Sequence, residues 1–180
     1  MKIYTKAGDD GTTGLLFGGR VRKDSELPVA YGTVDEAQAA LGVARAHADR
    51  DGELDRLLIG IERDLYVLMA EVATAPDNRH KLVDGTTRVT ASMVTALEEA
   101  IDATSERFDM PTEFVIPGEA VVAAFIDVAR TVVRRAERVT MSVVTDGSHV
   151  VPYLNRLSDL LWAMARWQEG ESLASKTPTP

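Results

Sequence analysis

Ala129-Arg130-Thr131-Val132-Val133-Arg134-Arg135-Ala136-Glu137-Arg138 is the stretch on which the fold turns. Around it, apolar residues recur at Phe125, Val128, Val132, Ala136, Val139 and Val143, in steps of three and four. That spacing marks one buried stripe of an α-helix. At about 100° per residue, Arg134 lies roughly 40° round from Arg130, Glu137 roughly −20° and Arg138 roughly 80°. Three guanidiniums and a carboxylate share the face opposite the stripe. Such a face can simply be solvated, with Glu137 pairing Arg134 or Arg138 for a few tenths of a kcal/mol. A docked anion would balance the charge better.

The same periodicity recurs on both sides of this helix. Pro28 opens a stripe of Ala30, Val34, Ala37, Leu41, Ala44 and Ala48, which Asp51-Gly52 ends. Leu54, Leu58, Ile61, Leu65, Leu68 and Val72 form a second stripe, ending near Ala75-Pro76. Residues 76–89 are polar and loop-like. Thr90 reads as the N-cap of a third helix carrying Val94, Leu97 and Ile101, which closes near Pro111. Phe114-Val115-Ile116-Pro117-Gly118 is a short apolar connector into the arginine helix, and that helix fades at Asp146-Gly147. Pro152 opens the last helix, with Tyr153, Leu157, Leu160, Leu161, Met164 and Trp167 on one face. Asn155, Ser158, Asp159 and Arg166 occupy its other face. Residues 170–180 lack periodicity and are expected to form a disordered tail. Five amphipathic helices with short connections and no strand alternation predict an all-α fold. It is an antiparallel five-helix bundle, a single domain over residues 1–169.

Residues 1–27 stand apart as a non-helical arm. Tyr4-Thr5-Lys6-Ala7-Gly8-Asp9-Asp10-Gly11-Thr12-Thr13-Gly14 packs three glycines with hydroxyls and a lysine, and Gly18-Gly19-Arg20-Val21-Arg22-Lys23-Asp24 follows. A loop of this kind can turn backbone N–H groups, hydroxyls and an ammonium toward one anion. The spacing of a Walker A loop is absent. A plain glycine-rich turn would have the same composition.

Composition narrows the function classes. The 180 residues are 45% hydrophobic and 27% charged, enough to build a core without covalent staples. With no cysteine, a disulfide scaffold, a thiolate zinc site and a thiol nucleophile are all excluded, and a reducing cytoplasm fits. The first ten residues hold no apolar h-region, and no run approaches the roughly 20 apolar residues of a membrane span. A net charge of −8 argues against sequence-independent nucleic-acid binding. The histidines are His47, His80 and His149. Their acid-x-x-His matches, Asp77 with His80 and Asp146 with His149, fall in loops without further ligands, so no protein metal site is expected. Ser158-Asp159 has no nucleophile-elbow context. A non-catalytic, partner-binding bundle would account for the helices but not for the arm or the arginines.

These segments together resemble the PduO-type ATP:cob(I)alamin adenosyltransferases. The resemblance rests on Tyr4 to Gly14, Gly19 to Asp24, Tyr31-Gly32-Thr33-Val34-Asp35-Glu36, Phe114 to Gly118, Val128 to Arg138 and Tyr153-Leu154-Asn155-Arg156-Leu157-Ser158-Asp159. They run in family order from Tyr4 to about Arg166. Each segment is weak alone; the ordered set is specific.

The resemblance implies a homotrimer with active sites between subunits, and transfer of the 5′-deoxyadenosyl group of ATP to cob(I)alamin. Thr5, Lys6, Ala7, Gly8, Asp9, Asp10, Gly11, Thr12, Thr13, Gly14 and Lys23 would wrap the triphosphate. Arg134, Arg135, Ala136, Glu137, Arg138 and Asn155 would complete the ATP site from the neighbouring subunit. Arg134, Arg130, Asp35 and Phe114 would serve catalysis, with Arg130 paired to Asp35 across the interface. Phe114 and Gly118 would meet the cobalamin, Phe114 crowding its lower face and favouring loss of the lower axial ligand. Mg²⁺ would be held mainly by ATP phosphates. The cobalt supplies the nucleophile, so the protein needs no general base. It must orient C5′ and stabilise a polyanionic leaving group. A cobalamin reductase and a cobalamin-dependent acceptor enzyme would be partners. Glu119-Ala120, Arg22 and Pro152 depart from the family pattern. The changed turn after Gly118 keeps open an ATP- and cobalamin-binding carrier or sensor that does not catalyse efficiently. A helical scaffold without ligand is the third reading.

Overall fold

The computed structural model describes residues 3–176. Five α-helices follow a short hairpin: α1 Glu26–Ala46, α2 Glu53–Val72, α3 Ala91–Ser105, α4 Val121–Thr140 and α5 Val150–Glu169. The hairpin pairs β1 Thr12–Gly14 with β2 Arg20–Arg22, Thr12 opposite Arg22 and Gly14 opposite Arg20. A 3-10 turn, Pro76–Lys81, lies in the segment expected to be loop. Thr90 caps α3 as expected, its hydroxyl accepting from the Met93 N–H at 3.4 Å.

Side-chain pairs fix the directions of the helices. Arg45 reaches Asp55 at 2.8 Å, so α2 runs back along α1. Arg135 pairs with Glu36 while the His47 and Phe125 rings lie 4.9 Å apart, so α4 runs back along α1. Glu137 meets Asn155 and Asp127 meets Arg166, so α5 reverses α4. Successive helices alternate, as an antiparallel bundle requires. One neighbouring pair is parallel: Glu98 bonds Arg156 and Arg107 stacks on Trp167, which sets α3 beside α5 in the same sense.

Two expected faces are corrected. The buried stripe of α4 is Ala123, Ile126, Ala129, Val133 and Ala136, with Asp127 and Thr140 buried on it, whereas Val128 is 53% exposed. In α5, packed between α4 and α3, Ser158 and Arg166 are buried with the leucines rather than presented to solvent. A helix enclosed by neighbours is apolar nearly all round, and its few polar groups need partners.

The tail is corrected as well. Leu173 and Ala174 form strand β4 (Leu173–Ala174), antiparallel to β3 (Val115–Ile116), and the Ser175 N–H donates to the Phe114 carbonyl at 2.7 Å. Residues 177–180 of the expected disordered tail, like Met1 and Lys2, lie outside the described residues. Among the described residues no helix is long and apolar enough to cross a membrane.

Candidate active site

The order of residues along α4 lays out the site. Asp127 and Arg130 stand at one end, Arg134 follows a turn later, and Glu137 and Arg138 come last, so Arg130 and Arg138 are about 12 Å apart along the axis. At the Arg130 end, a cleft of 610 Å³ is lined by Phe114, Pro117, Arg130, Trp162, Arg166 and Lys176, among others. Phe114 is 85% exposed. A large aromatic left uncovered on a loop, with its own carbonyl held by Ser175, is a ready surface for an apolar ligand. Gly118 follows with φ +130°, a conformation that only glycine adopts without strain.

Arg130 does not stand free in this chain. Its Nε donates to Asp127 Oδ1 at 2.8 Å. Asp127 Oδ2 accepts from Arg166 at 2.6 Å, and Arg166 also donates to both Glu169 oxygens, at 2.7 and 2.9 Å. Burial alone would lower the Arg166 pKa, but its hydrogen bonds to Glu169 and Asp127 outweigh it and hold the guanidinium above its ordinary value. Spacing singles out neither Asp127 nor Glu169, and it puts Arg166 only on the polar face of the last helix. Asp35, expected as the partner of Arg130, is exposed on α1 and makes no ion pair among the described residues.

Toward the other end of α4 the charges are open. Arg134 and Arg138 are exposed, and no carboxylate among the described residues lies within ion-pairing distance of either. Arg138 donates to the Arg134 carbonyl at 2.9 Å, which curls it along the helix. Glu137 accepts from Asn155 Nδ2 at 3.0 Å instead of pairing with these arginines. Asn155 Oδ1 in turn accepts from Arg156 Nη1 at 2.6 Å, which fixes the amide orientation. Arg135 turns away to Glu36 on α1. Ala136 is wholly buried, so its side chain packs the core and offers no surface to a nucleotide.

The arm is more ordered than its glycines suggest. Lys6 adopts φ +62° and Gly11 φ +82°, giving two left-handed turns ahead of β1. Asp10 accepts from the Thr12 N–H at 2.9 Å and from its hydroxyl at 2.7 Å. Those bonds from Thr12 hold the Asp10 carboxyl below the usual range. Thr5 Oγ1 accepts from the Ala7 N–H at 3.3 Å. Arg20, also missed by the sequence reading, donates to Thr12 Oγ1 at 2.6 Å and to the Ala7 carbonyl. A Cβ on Gly8 would lie 3.1 Å from Lys23 Nζ, so the bare backbone at Gly8 is what lets that ammonium into the loop. Asp9 lies in the turn, while Thr13 and Gly14 lie in β1 opposite Val21 and Arg20. Leu16 docks the arm on the end of α2, its N–H donating to the Ala73 carbonyl at 2.9 Å. No hydrogen bond among the described residues joins the arm to Arg134, Arg138 or Asn155 within the chain.

The profile of the cobalamin adenosyltransferase family matches residues 3–168. The chain belongs to this family. Among its cobalamin adenosyltransferase relatives, a corrinoid adenosyltransferase of Citrobacter freundii is 40% identical over 171 residues, spanning 93% of this chain and 95% of that one. One from Mycobacterium tuberculosis is 41% identical over 172 residues, spanning 92% and 87%. A solved structure, a variant PduO-type ATP:corrinoid adenosyltransferase from Lactobacillus reuteri complexed with cobalamin and ATP, matches with a TM-score of 0.86 at 29% identity. That match covers 98% of this chain and 100% of the other.

Proposed function

We propose that α4 is the axis of an ATP:corrinoid adenosyltransferase site, its open arginines gripping triphosphate and its Arg130 end facing the corrinoid. The chain transfers the 5′-deoxyadenosyl group of ATP to cob(I)alamin, giving adenosylcobalamin and triphosphate. The observation that carries the proposed geometry is the pair Arg134 and Arg138, exposed and without acidic partners among the described residues, on the helix whose Arg130 lines the same cleft as an uncovered Phe114. Charge-assisted bonds from guanidiniums to departing phosphate oxygens strengthen as negative charge moves onto the leaving group. Lys6, Lys23, the threonines and the backbone of the arm would add donors, and Mg²⁺ on the phosphates would share the load.

That no hydrogen bond among the described residues joins the arm to Arg134 fits a homotrimer in which the arm of one subunit closes over the α4 of the next. Exposed Asp35 is then free to meet Arg130 across that interface. Phe114 and Gly118 border the corrinoid. The Lactobacillus reuteri protein supports this placement. Two variants solved with cobalamin and ATP change a phenylalanine, and one solved with ATP changes an arginine twenty positions on, the spacing of Phe114 and Arg134 here.

Mixing the purified protein with Mg·ATP and chemically reduced cobalamin tests the reading. A light-sensitive adenosyl product and one triphosphate per turnover are expected. Binding of both substrates without product would favour the carrier; no calorimetric binding of Mg·ATP would favour the scaffold.

A further inference from the structure

Arg166 is the largest wholly buried side chain of the bundle, 1% exposed, and no assigned role uses it. Its charge is balanced on both sides. Asp127 Oδ2 accepts at 2.6 Å from one direction, and Glu169 accepts at 2.7 and 2.9 Å from the other. Each carboxylate also reaches onward. Asp127 Oδ1 takes the Arg130 Nε at 2.8 Å, leaving the Arg130 terminal nitrogens without a bond among the described residues, on a side chain that lines the cleft. Glu169 Oε2 accepts from the Ser172 hydroxyl at 3.2 Å, in the turn where Gly170, at φ +74°, sends the chain back into β4. From β4, Ser175 donates to the Phe114 carbonyl.

We infer that Arg166 is a positioning residue for the proposed site, fixing Arg130 through Asp127 and the Phe114 strand through Glu169, so that both walls of one cleft are set by a single buried guanidinium. An apolar side chain would fill the same volume with less desolvation. What it could not do is aim two carboxylates at once. A planar fork with donors on two edges can, and a lysine ammonium, a compact point charge, cannot. The role differs from that of Arg134, because Arg166 lies in the cleft wall at 1% exposure with its Nε and Nη2 donors already engaged by Glu169 and Asp127.

The inference rests on the active-site reading of the cleft, so two measurements separate the failures. In the first, Arg166→Lys is combined with Arg130→Ala and kcat/KM for adenosyl transfer is read. Arg166→Lys is expected to lower kcat/KM about tenfold or more when Arg130 is present, as for other misplaced groups. With Arg130→Ala already in place the further loss is expected to be several-fold smaller, since only the path through Glu169 to the Phe114 strand remains. Equal losses on both backgrounds would overturn the inference, since a purely structural defect acts regardless of Arg130. Should Arg166→Lys lose its helical circular dichroism, Glu169→Gln, close in shape, takes its place and is combined with Phe114→Ala, where the same non-additive pattern is expected. The second measurement needs no activity. The Arg130 Nε–H, identified by its loss in Arg130→Ala, is expected to give a slowly exchanging NMR signal that broadens or exchanges faster in Arg166→Lys. An unchanged signal would overturn the inference, and absence of turnover in the parent protein would count against the site reading alone.

Discussion

The two ends of the arginine helix use the same side chain in opposite ways. At one end, Arg130 and Arg166 are locked by Asp127 and Glu169, two cations against two carboxylates, largely out of solvent. At the other, Arg134 and Arg138 are exposed, and no carboxylate among the described residues lies within ion-pairing distance of either. A paired, buried arginine shapes the protein; an open, exposed one is held ready for an anion that the chain does not supply. The distinction separates arginines that hold the cleft wall in place from arginines left open to solvent along one helix of 20 residues.

Each expected outcome can break or sharpen that division. The largest is Arg166→Met, which leaves Glu169 buried without a counter-ion and Asp127 with Arg130 alone, and should cost about 3–5 kcal/mol of unfolding free energy, read by chemical denaturation. A cost below about 1 kcal/mol would mean that the buried end is no more structural than the open one. Arg134→Ala should do the reverse, lowering turnover about 10²–10³-fold while unfolding free energy stays within about 0.5 kcal/mol of the parent. Lys23→Ala removes one donor from the arm and should weaken Mg·ATP binding by about 1.5–3 kcal/mol, roughly 10- to 150-fold, measured by calorimetry. The smallest effect lies outside both ends, at Asp64. Burial raises its carboxyl pKa, partly offset by the Tyr153 hydroxyl bond at 3.0 Å. The folded state therefore holds the proton to higher pH than the unfolded chain. Stability should fall as pH rises from the ordinary aspartate range through the raised value. Asp64→Asn should abolish that decline, a change of no more than about 0.5 kcal/mol at this half-exposed position.

What the sequence makes legible follows the range of the interactions. The helices are local, so steps of three and four locate all five, and the Thr90 cap is visible three residues ahead of its partner. The phase of α4 is not, because Val128 counts as apolar in any periodic reading, while the buried position is Asp127. Its burial depends on Arg166, 39 residues away. The same long-range pairing hides Arg166, which local spacing assigns to a polar face of α5. Strands β3 and β4 are two residues each, too short for alternation, and exist only because distant segments meet. At the site, the ordered motifs bring out Arg134, Arg138, Asn155, Phe114 and the arm. They do not reveal Arg20, whose partners Ala7 and Thr12 lie across the hairpin. Nor do they reveal the internal partner of Arg130.

The central claim is that the open arginines of one subunit and the arm of another hold the same triphosphate. Co-assembly of two separately inactive variants tests it directly: Arg134→Ala, which keeps its arm, with Lys6→Ala/Lys23→Ala, which keeps its arginines. If the sites lie between subunits, random mixing rebuilds about a quarter of them intact, and adenosyl transfer should return to about that fraction of the parent rate. If arm and arginines of one chain serve the same site, every chain in the mixture lacks one half, and the mixture stays as inactive as its components.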